Sequence, residues 1–196
     1  MSDPSEAPLF PVFLKLEGRK VLLVGGGRVA AAKLAGLLTA GALVTVVAPE
    51  VRDGIGSAPV VTLLRPFQPE DVNGAWLVVA AAPADVNREV LAAAEARGVF
   101  VNAVDDPAHG SVYTGGVLRR GGVTIAVSTE GRAPALAGLL REALETVIPE
   151  EVGDWVEAGA TLREEQRRAR VPMGERRPLL LQALNRLYAG HVEVPS

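Results

Sequence analysis

The chain has 196 residues, of which 48% are hydrophobic and 22% charged, so it is long enough to bury a hydrophobic core without crosslinks. The formal net charge of −3 argues against general nucleic-acid binding, and the absence of cysteine excludes disulfides and thiolate metal sites. The sequence predicts neither a signal peptide nor a membrane span, so we expect a cytoplasmic protein with no membrane partner.

The first half of the chain predicts alternating strands and helices. Short apolar runs that end at glycine or proline indicate buried strands, and longer stretches with one apolar face indicate helices. Strands are expected at 20–24, 43–47, 60–64, 76–80 and 99–103, with helices at 28–40 and 83–97 and a helical turn at 69–73. This alternation predicts an α/β fold with a Rossmann-like, doubly wound parallel sheet.

The pattern changes after about residue 105. Residues 111–118 and 123–128 predict a β-hairpin with its turn at 119–122. An amphipathic helix is expected at 134–147, and helices rich in charged residues at 151–170 and 178–188. We therefore expect a Rossmann domain at 1–112, a hairpin-plus-helix segment at 113–149 and a small C-terminal helical domain at 150–196.

A glycine turn joins the first strand to the first helix. Gly25, Gly27 and Ala30 fit the pattern G-x-G-x-x-A. In this pattern the first glycine permits the tight turn, the second lets the backbone approach a pyrophosphate, and the alanine lets the helix pack on the sheet. Because the motif leaves a strand and opens a helix at Arg28, we favour a dinucleotide site over a plain turn.

The end of the second strand, where an acid commonly contacts the adenine ribose, carries Ala48, Pro49 and Glu50. Glu50 comes slightly late, and Ala48 stands where aspartate is expected. A ribose contact and a solvated surface glutamate are therefore equally good interpretations of Glu50. Since Arg28 could instead accommodate a 2′-phosphate, the residues favour NAD but leave NADP open.

Two adjacent carboxylates, Asp105 and Asp106, follow the fifth strand, at the sheet edge where ligands bind in open α/β folds. Consecutive residues of an extended strand point in opposite directions, so at most one of the two is expected to point into the crevice. That carboxylate could act as a general base. Alternatively, both form an ordinary turn with Pro107. His109 could carry protons or be a simple loop residue, and no cluster of histidines predicts a permanent metal site.

Two polar regions in the second half could bind anions. Ser128 and Thr129 precede a helix and could either cap it or contact an anion. Arg163, Arg167 and Arg170 have the spacing of one helix face. That face suits a polycarboxylate ligand, but a solvated helix with local ion pairs is the simpler interpretation.

Together these residues resemble the precorrin-2 dehydrogenase and sirohydrochlorin ferrochelatase family, which includes the N-terminal half of siroheme synthase. The similarity follows the family order through residues 11–18, 21–30, 41–49, 102–105, 125–129, 134–137 and 173–177. The glycine turn is shared with many enzymes, whereas its combination with the later motifs is specific. The resemblance implies NAD-dependent oxidation of precorrin-2, an acidic tetrapyrrole, to sirohydrochlorin in siroheme biosynthesis.

The resemblance also implies an assembly and residue roles. It implies a homodimer built largely by the hairpin and the following helix, and a catalytic carboxylate at Asp105 that could transiently hold a metal ion. Nucleotide contacts are expected from Gly25, Gly26, Gly27, Arg28, Val29, Ala48, Pro49 and Glu50. The candidates for substrate contacts are His109, Ser128, Thr129 and Arg132.

Two functional questions stay open at the level of sequence. The alternative to a dehydrogenase is a non-catalytic, NAD(H)-sensing regulatory Rossmann domain. Such domains usually carry an acid where this chain has Ala48, and they have no need of an arginine-rich tail. Insertion of Fe²⁺ into sirohydrochlorin is a second activity of some relatives, and no residue pattern decides whether this chain performs it.

Overall fold

The computed structural model of the chain describes residues 8–104, 106 and 109–189. Its first half contains the strands β1 (Lys20–Val24), β2 (Leu43–Ala48), β3 (Val61–Leu64), β4 (Leu77–Ala80) and β5 (Phe100–Ala103). Between them lie α1 (Arg28–Thr39), the short α2 (Asp53–Gly56), a 3₁₀ helix (Pro69–Val72) and α3 (Ala84–Glu95). The second half contains the strands β6 (Gly116–Arg120) and β7 (Val123–Val127), and the helices α4 (Pro134–Val147), α5 (Val152–Arg168) and α6 (Met173–Ala189).

The first five strands form one parallel sheet in the order β3-β2-β1-β4-β5. In this sheet Val21 of β1 lies opposite Val44 of β2 and Leu77 of β4. From β1 the chain adds β2 and β3 on one side and then returns to add β4 and β5 on the other side of β1. This reversal opens a crevice between β1 and β4 at the carboxyl ends of the strands. The Rossmann-like, doubly wound α/β fold predicted from sequence is therefore confirmed.

Both faces of this sheet are covered, which explains why β1 is apolar from Val21 onward. On one face, Val21 and Leu23 pack in a core with Leu34 of α1. On the other, Leu22 and Val24 pack in a second core with residues of α3 and the 3₁₀ helix. The short helix α2, which the sequence did not predict, places Ile55 in the first of these cores.

The segment 111–114 departs from the predicted hairpin. The expected strand at 111–118 is too long, because β6 begins only at Gly116. The earlier residues lie along the outer edge of β5 instead: Val112 N donates to Val101 O (3.0 Å), and Val101 N donates to Ser111 Oγ (2.8 Å). Because these residues bond to β5, they are not part of the hairpin that follows.

The hairpin itself is confirmed, with a tighter turn than expected. Leu118 lies opposite Ile125 and Arg120 opposite Val123, so only Gly121 and Gly122 form the loop. Both glycines have positive φ, at 51° and 79°, as a two-residue hairpin loop of the favoured hand requires. The predicted turn at 119–122 was wrong in including two arginines, which belong to β6.

Helix α4 has the predicted bounds but buries little of its apolar face. Among its residues only Ala137 is buried. Leu136, Leu139, Leu140 and Val147 are 49%, 63%, 44% and 72% exposed. An amphipathic helix normally packs its apolar face against a core, so this face is without a partner within the described part of the chain.

The C-terminal helices differ from prediction at their junction. Helix α6 begins at Met173 rather than at 178. Two hydrogen bonds anchor its first turn: Arg176 Nε donates to Val171 O (3.0 Å), and Gln166 Nε2 donates to Arg176 O (3.4 Å).

The predicted arginine stripe is also corrected. Helix α5 ends at Arg168, and Arg170 has a φ of +53°, so it does not share a helical face with Arg167.

The chain divides into two compact units. The first ends at Thr114 and also contains Glu130–Arg132, and the second contains Gly115–Thr129 and the chain from Ala133 onward. The predicted division into three parts, at 112/113 and 149/150, stays a prediction. No helix in the described residues is both long and apolar enough to cross a membrane.

Candidate functional site

Gly25 forms the tight turn that leaves β1. Its N–H donates to Val47 O of the neighbouring strand (2.9 Å), and its φ is +124°. A Cβ at this position would collide with the backbone carbonyl of Ala81, after β4. Glycine is therefore required both by the backbone conformation and by the close approach of the chain that follows β4.

Gly26 holds the glycine turn against the loop that follows β2. Its carbonyl accepts a hydrogen bond from Arg52 N (3.0 Å). A Cβ on Gly26 would collide with the backbone of Glu50. The structure thus brings together two groups of residues predicted to contact the nucleotide, the glycine turn and the region of Pro49 and Glu50. Ala48 ends β2 and is buried, whereas Pro49 and Glu50 are exposed.

Gly27 precedes α1 and leaves the N-terminus of that helix open. In the part of the chain that the structure describes, no side chain caps this N-terminus, and the first turn contains no acidic residue. Apart from Gly27 and its two neighbours in the chain, no atom of the described residues lies within 4 Å of the position where a Cβ on Gly27 would stand. Arg28 and Val29 are exposed on the first turn, while Ala30 is fully buried against the sheet.

These features fit a dinucleotide. Free N–H groups and the helix dipole favour a phosphate at the start of α1. The open space at Gly27 would permit close approach of a pyrophosphate to the backbone, and Arg28 is exposed on the first turn beside it. The nucleotide contacts expected from the glycine-turn residues stay a prediction, and this geometry leaves room for them.

The predicted base, Asp105, lies outside the described residues. Its neighbour Asp106 pairs with His109, whose Nδ1 lies 2.8 Å from the carboxylate oxygens. Both side chains are largely solvent-accessible, at 43% and 73% exposed. They border a groove of about 700 Å³ between α3 and the edge of β5, which is also lined by Arg88, Glu95 and Phe100.

A chain of hydrogen bonds that the sequence did not predict runs from α1 to β5. Lys33 Nζ donates to Thr114 Oγ1 (2.7 Å), and Thr114 Oγ1 lies 3.4 Å from Asn102 Oδ1. Asn102 is 5% exposed, and its Nδ2 donates to Val112 O (2.8 Å). One feature of the sequence could have indicated this position for Lys33. The residue lies three positions after Ala30 and four before Leu37, so it borders the buried face of α1.

The candidates for substrate contacts fall in both compact units. His109 and Arg132 belong to the first, and Ser128 and Thr129 to the second. Arg132 pairs with Glu130 (2.7 Å). Thr129 Oγ1 accepts a hydrogen bond from the N–H of Ala133 (3.2 Å), the residue at the N-cap of α4. Within the described residues, no group of three or more histidine or acidic side chains could hold a metal ion.

The fold, the glycine turn and the open helix N-terminus define a Rossmann-type dinucleotide-binding protein. Residues 12–116, more than half of the chain, match the family described as "Putative NAD(P)-binding". The chain belongs to this NAD(P)-binding family. Residues 120–146 also match the family described as "Sirohaem biosynthesis protein central".

Similar proteins of known name agree with the predicted resemblance. The siroheme synthase of Photorhabdus laumondii is 40% identical over 184 residues, which cover 91% of this chain and 39% of that protein. Siroheme synthase 3 of Aeromonas hydrophila is 40% identical over 172 residues, covering 85% of this chain and 37% of that protein. The chain thus spans about two fifths of the length of these relatives.

A solved structure extends the similarity over nearly all of the chain. The structure of SirC, a precorrin-2 dehydrogenase, matches with a TM-score of 0.71 and 27% sequence identity. The match covers 89% of this chain and 88% of that one. The predicted resemblance to the precorrin-2 dehydrogenase family and to the N-terminal part of siroheme synthase is therefore confirmed.

Proposed function

We propose that this protein is an NAD-dependent precorrin-2 dehydrogenase that produces sirohydrochlorin for siroheme biosynthesis. The observation that carries the proposal is the structural similarity to SirC, which extends over 89% of the chain. The glycine turn supports it, because its geometry fits the dinucleotide that such an oxidation needs. A cytoplasmic location agrees with a reaction that consumes a soluble nicotinamide nucleotide.

We assign NAD rather than NADP to the nucleotide site. Glu50 is exposed at the end of β2, and its backbone lies against Gly26. A carboxylate in this region suits the hydroxyl groups of an unmodified ribose and repels a 2′-phosphate. Arg28 is then free to serve the pyrophosphate at the N-terminus of α1.

The oxidation removes one hydride and one proton from the macrocycle. Bound NAD⁺ supplies the hydride acceptor. We assign acceptance of the proton to Asp105, which follows β5 at the carboxyl edge of the sheet. The support is the place of Asp105 in the sequence, directly after β5 and Val104, and β5 is held in the sheet by its pairing with β4.

We propose a homodimer that uses the hairpin and α4. The support is the apolar face of α4, on which Leu139 and Val147 are 63% and 72% exposed. Burial of such a face against a second copy is favourable by about 25 cal/mol for each Å² of apolar surface. His109, Ser128, Thr129 and Arg132 remain our candidates for contacts with the substrate in that assembly.

An anaerobic assay with precorrin-2 tests the proposed function. The full chain is mixed with precorrin-2 and either NAD⁺ or NADP⁺, and formation of the reduced nucleotide is followed by absorbance. We expect turnover with NAD⁺ and much slower turnover with NADP⁺. Binding of NAD⁺ or NADH without turnover would instead indicate the regulatory alternative. A parallel reaction with sirohydrochlorin and Fe²⁺ tests whether the chain also inserts iron.

A further inference from the structure

Lys33 lies on the second turn of α1, the helix that begins at the glycine turn. Because β1 and β2 are parallel, the connecting helix runs back along the sheet, and its N-terminus lies at the carboxyl edge. Side chains on a helix lean toward its N-terminus. The half-buried side chain of Lys33 is therefore directed toward the edge of the sheet where ligands bind.

The ammonium group of Lys33 is held on the side of the sheet that carries β5. Its Nζ donates to Thr114 Oγ1 (2.7 Å), and that hydroxyl can donate in turn to Asn102 Oδ1 (3.4 Å). Asn102 is buried and donates to Val112 O (2.8 Å), so its amide is fixed. The hydroxyl of Thr114 is thus oriented to accept from Lys33, which gives the ammonium a defined position.

The charge on Lys33 is not compensated within the described residues. None of their carboxylates lies within ion-pair distance of its Nζ, although the structure pairs several surface arginines in this way. Burial lowers the pKa of Lys33, as expected for a cation removed from water without a nearby anion. An ammonium has three donors, and Thr114 accepts from one of them, which leaves donors for a ligand.

We propose that Lys33, oriented by Thr114, binds a peripheral carboxylate of the macrocyclic substrate. This inference rests on the proposed function, which supplies a polycarboxylate substrate. The nucleotide phosphates are the less suitable partner for two reasons. Arg28 and the free N–H groups serve them at the start of α1, about 7.5 Å earlier along the helix. In addition, the partners of Lys33 lie on and beside β5, whereas the adenosine half of a dinucleotide lies toward β2.

The test measures binding of uroporphyrin, a fluorescent macrocycle with carboxylates at its periphery, to the full chain. Lys33→Met keeps the length of the side chain and removes the charge. We expect this variant to bind uroporphyrin about ten- to a hundredfold more weakly, as for loss of a charge-assisted hydrogen bond, and to bind NADH as the wild type does. Binding of the uroporphyrin methyl ester, which lacks the carboxylates, should be the same for both proteins.

Three further variants complete the design. Lys20→Met removes an exposed lysine at the first residue of β1, on the opposite edge of the same sheet, and should bind uroporphyrin normally. Lys33→Arg keeps the charge and should retain most of the affinity. Thr114→Val removes the orienting hydroxyl and should weaken binding less than Lys33→Met does. Thermal unfolding of each variant verifies that it is folded.

The inference is overturned if Lys33→Met binds uroporphyrin with wild-type affinity, or if the wild type does not bind it. Equal weakening of NADH and uroporphyrin binding would also overturn it, because Lys33 would then serve the nucleotide or the fold. With precorrin-2, we expect an increased KM in Lys33→Met. If the wild type oxidises precorrin-2 and Lys33→Met keeps its KM, the inference alone fails. If the wild type does not oxidise precorrin-2, the proposed function fails.

Discussion

The two compact units use amphipathic helices in different ways. In the first unit, α1 buries Ala30, Leu34 and Leu37 against the parallel sheet. In the second unit, α4 has an equally regular apolar face but buries only Ala137, and Leu139 is 63% exposed. The comparison teaches that an apolar stripe in a helical sequence predicts a helix face that needs burial. The stripe does not show whether the surface that covers this face belongs to the same unit.

The units also differ in how their functional residues are supported. The glycine turn of the first unit is constrained by backbone contacts, from Gly25 to Ala81 and from Gly26 to Glu50. In the second unit, Thr129 stands at the start of a helix whose apolar face is exposed. We therefore expect the chemistry to depend on the first unit and the assembly on the second, which the following experiments test.

The largest expected effect concerns the carboxylate after β5. Asp105→Ala should lower the turnover of precorrin-2 by about 10²- to 10⁴-fold, the usual contribution of a general base, because the proton loses its acceptor. NADH binding and the oligomeric state should not change. Asp106→Ala is the matched control and should retain most of the activity, since Asp106 pairs with His109. Near-normal turnover in Asp105→Ala would remove this residue from the proposed role.

The next effect concerns the exposed face of α4. Leu139→Glu places a charge on that face in both copies of the proposed homodimer and should convert it to monomers, with a cost of about 2 kcal/mol or more for a central interface residue. Sedimentation equilibrium measures the change. Val61→Glu is the control, because Val61 is similarly exposed, at 59%, but belongs to the first unit. A Leu139→Glu protein with the oligomeric state of the wild type would contradict the assigned interface.

A smaller effect is expected inside the first unit. Asp71 accepts two hydrogen bonds from the guanidinium of Arg65 and one from Gln68 N, and these lower the pKa of Asp71. The stabilisation is complete above the unfolded-state pKa of about 4 and is lost as the pH falls through the lower folded-state value. Asp71→Asn should therefore reduce the free energy of unfolding by about 1–3 kcal/mol at neutral pH.

Denaturant unfolding of Asp71→Asn and the wild type at several pH values provides the measurement. The difference between the two proteins should shrink as the pH falls below about 4. Glu70→Gln removes a neighbouring exposed carboxylate and should have little effect at any pH. A difference that is independent of pH would show that Asp71 stabilises the fold by packing and not through its charge.

The smallest effect is a gain of stability in the second unit. Ala133 occupies the N-cap of α4, and no side chain among the described residues caps the first turn of that helix. Ala133→Ser supplies an oxygen that can accept a hydrogen bond from the first turn, and should raise the free energy of unfolding by about 0.5–1 kcal/mol. The gain should appear in thermal unfolding without any change in NADH binding. A decrease in stability would contradict this expectation and would indicate that the serine disturbs the bond from Ala133 N to Thr129 Oγ1.

The sequence by itself determined the features that depend on neighbours in the chain. The run from Lys20 to Gly27 predicted a buried strand followed by a tight glycine turn, and the structure has both. The alternation of strands and helices predicted the doubly wound sheet. These predictions succeeded because side-chain periodicity and glycine conformation operate over a few residues, and because the handedness of βαβ connections leaves few topologies.

Only the tertiary structure decided the features that depend on residues distant in the chain. Gly26 must be glycine because the backbone of Glu50 lies against it, and Lys33 has its partner Thr114 at a separation of 81 residues. The segment 111–114, which has the composition of a hairpin strand, is bonded to β5 instead. Such contacts arise when separate elements pack together, and no short stretch of sequence encodes which surfaces will meet.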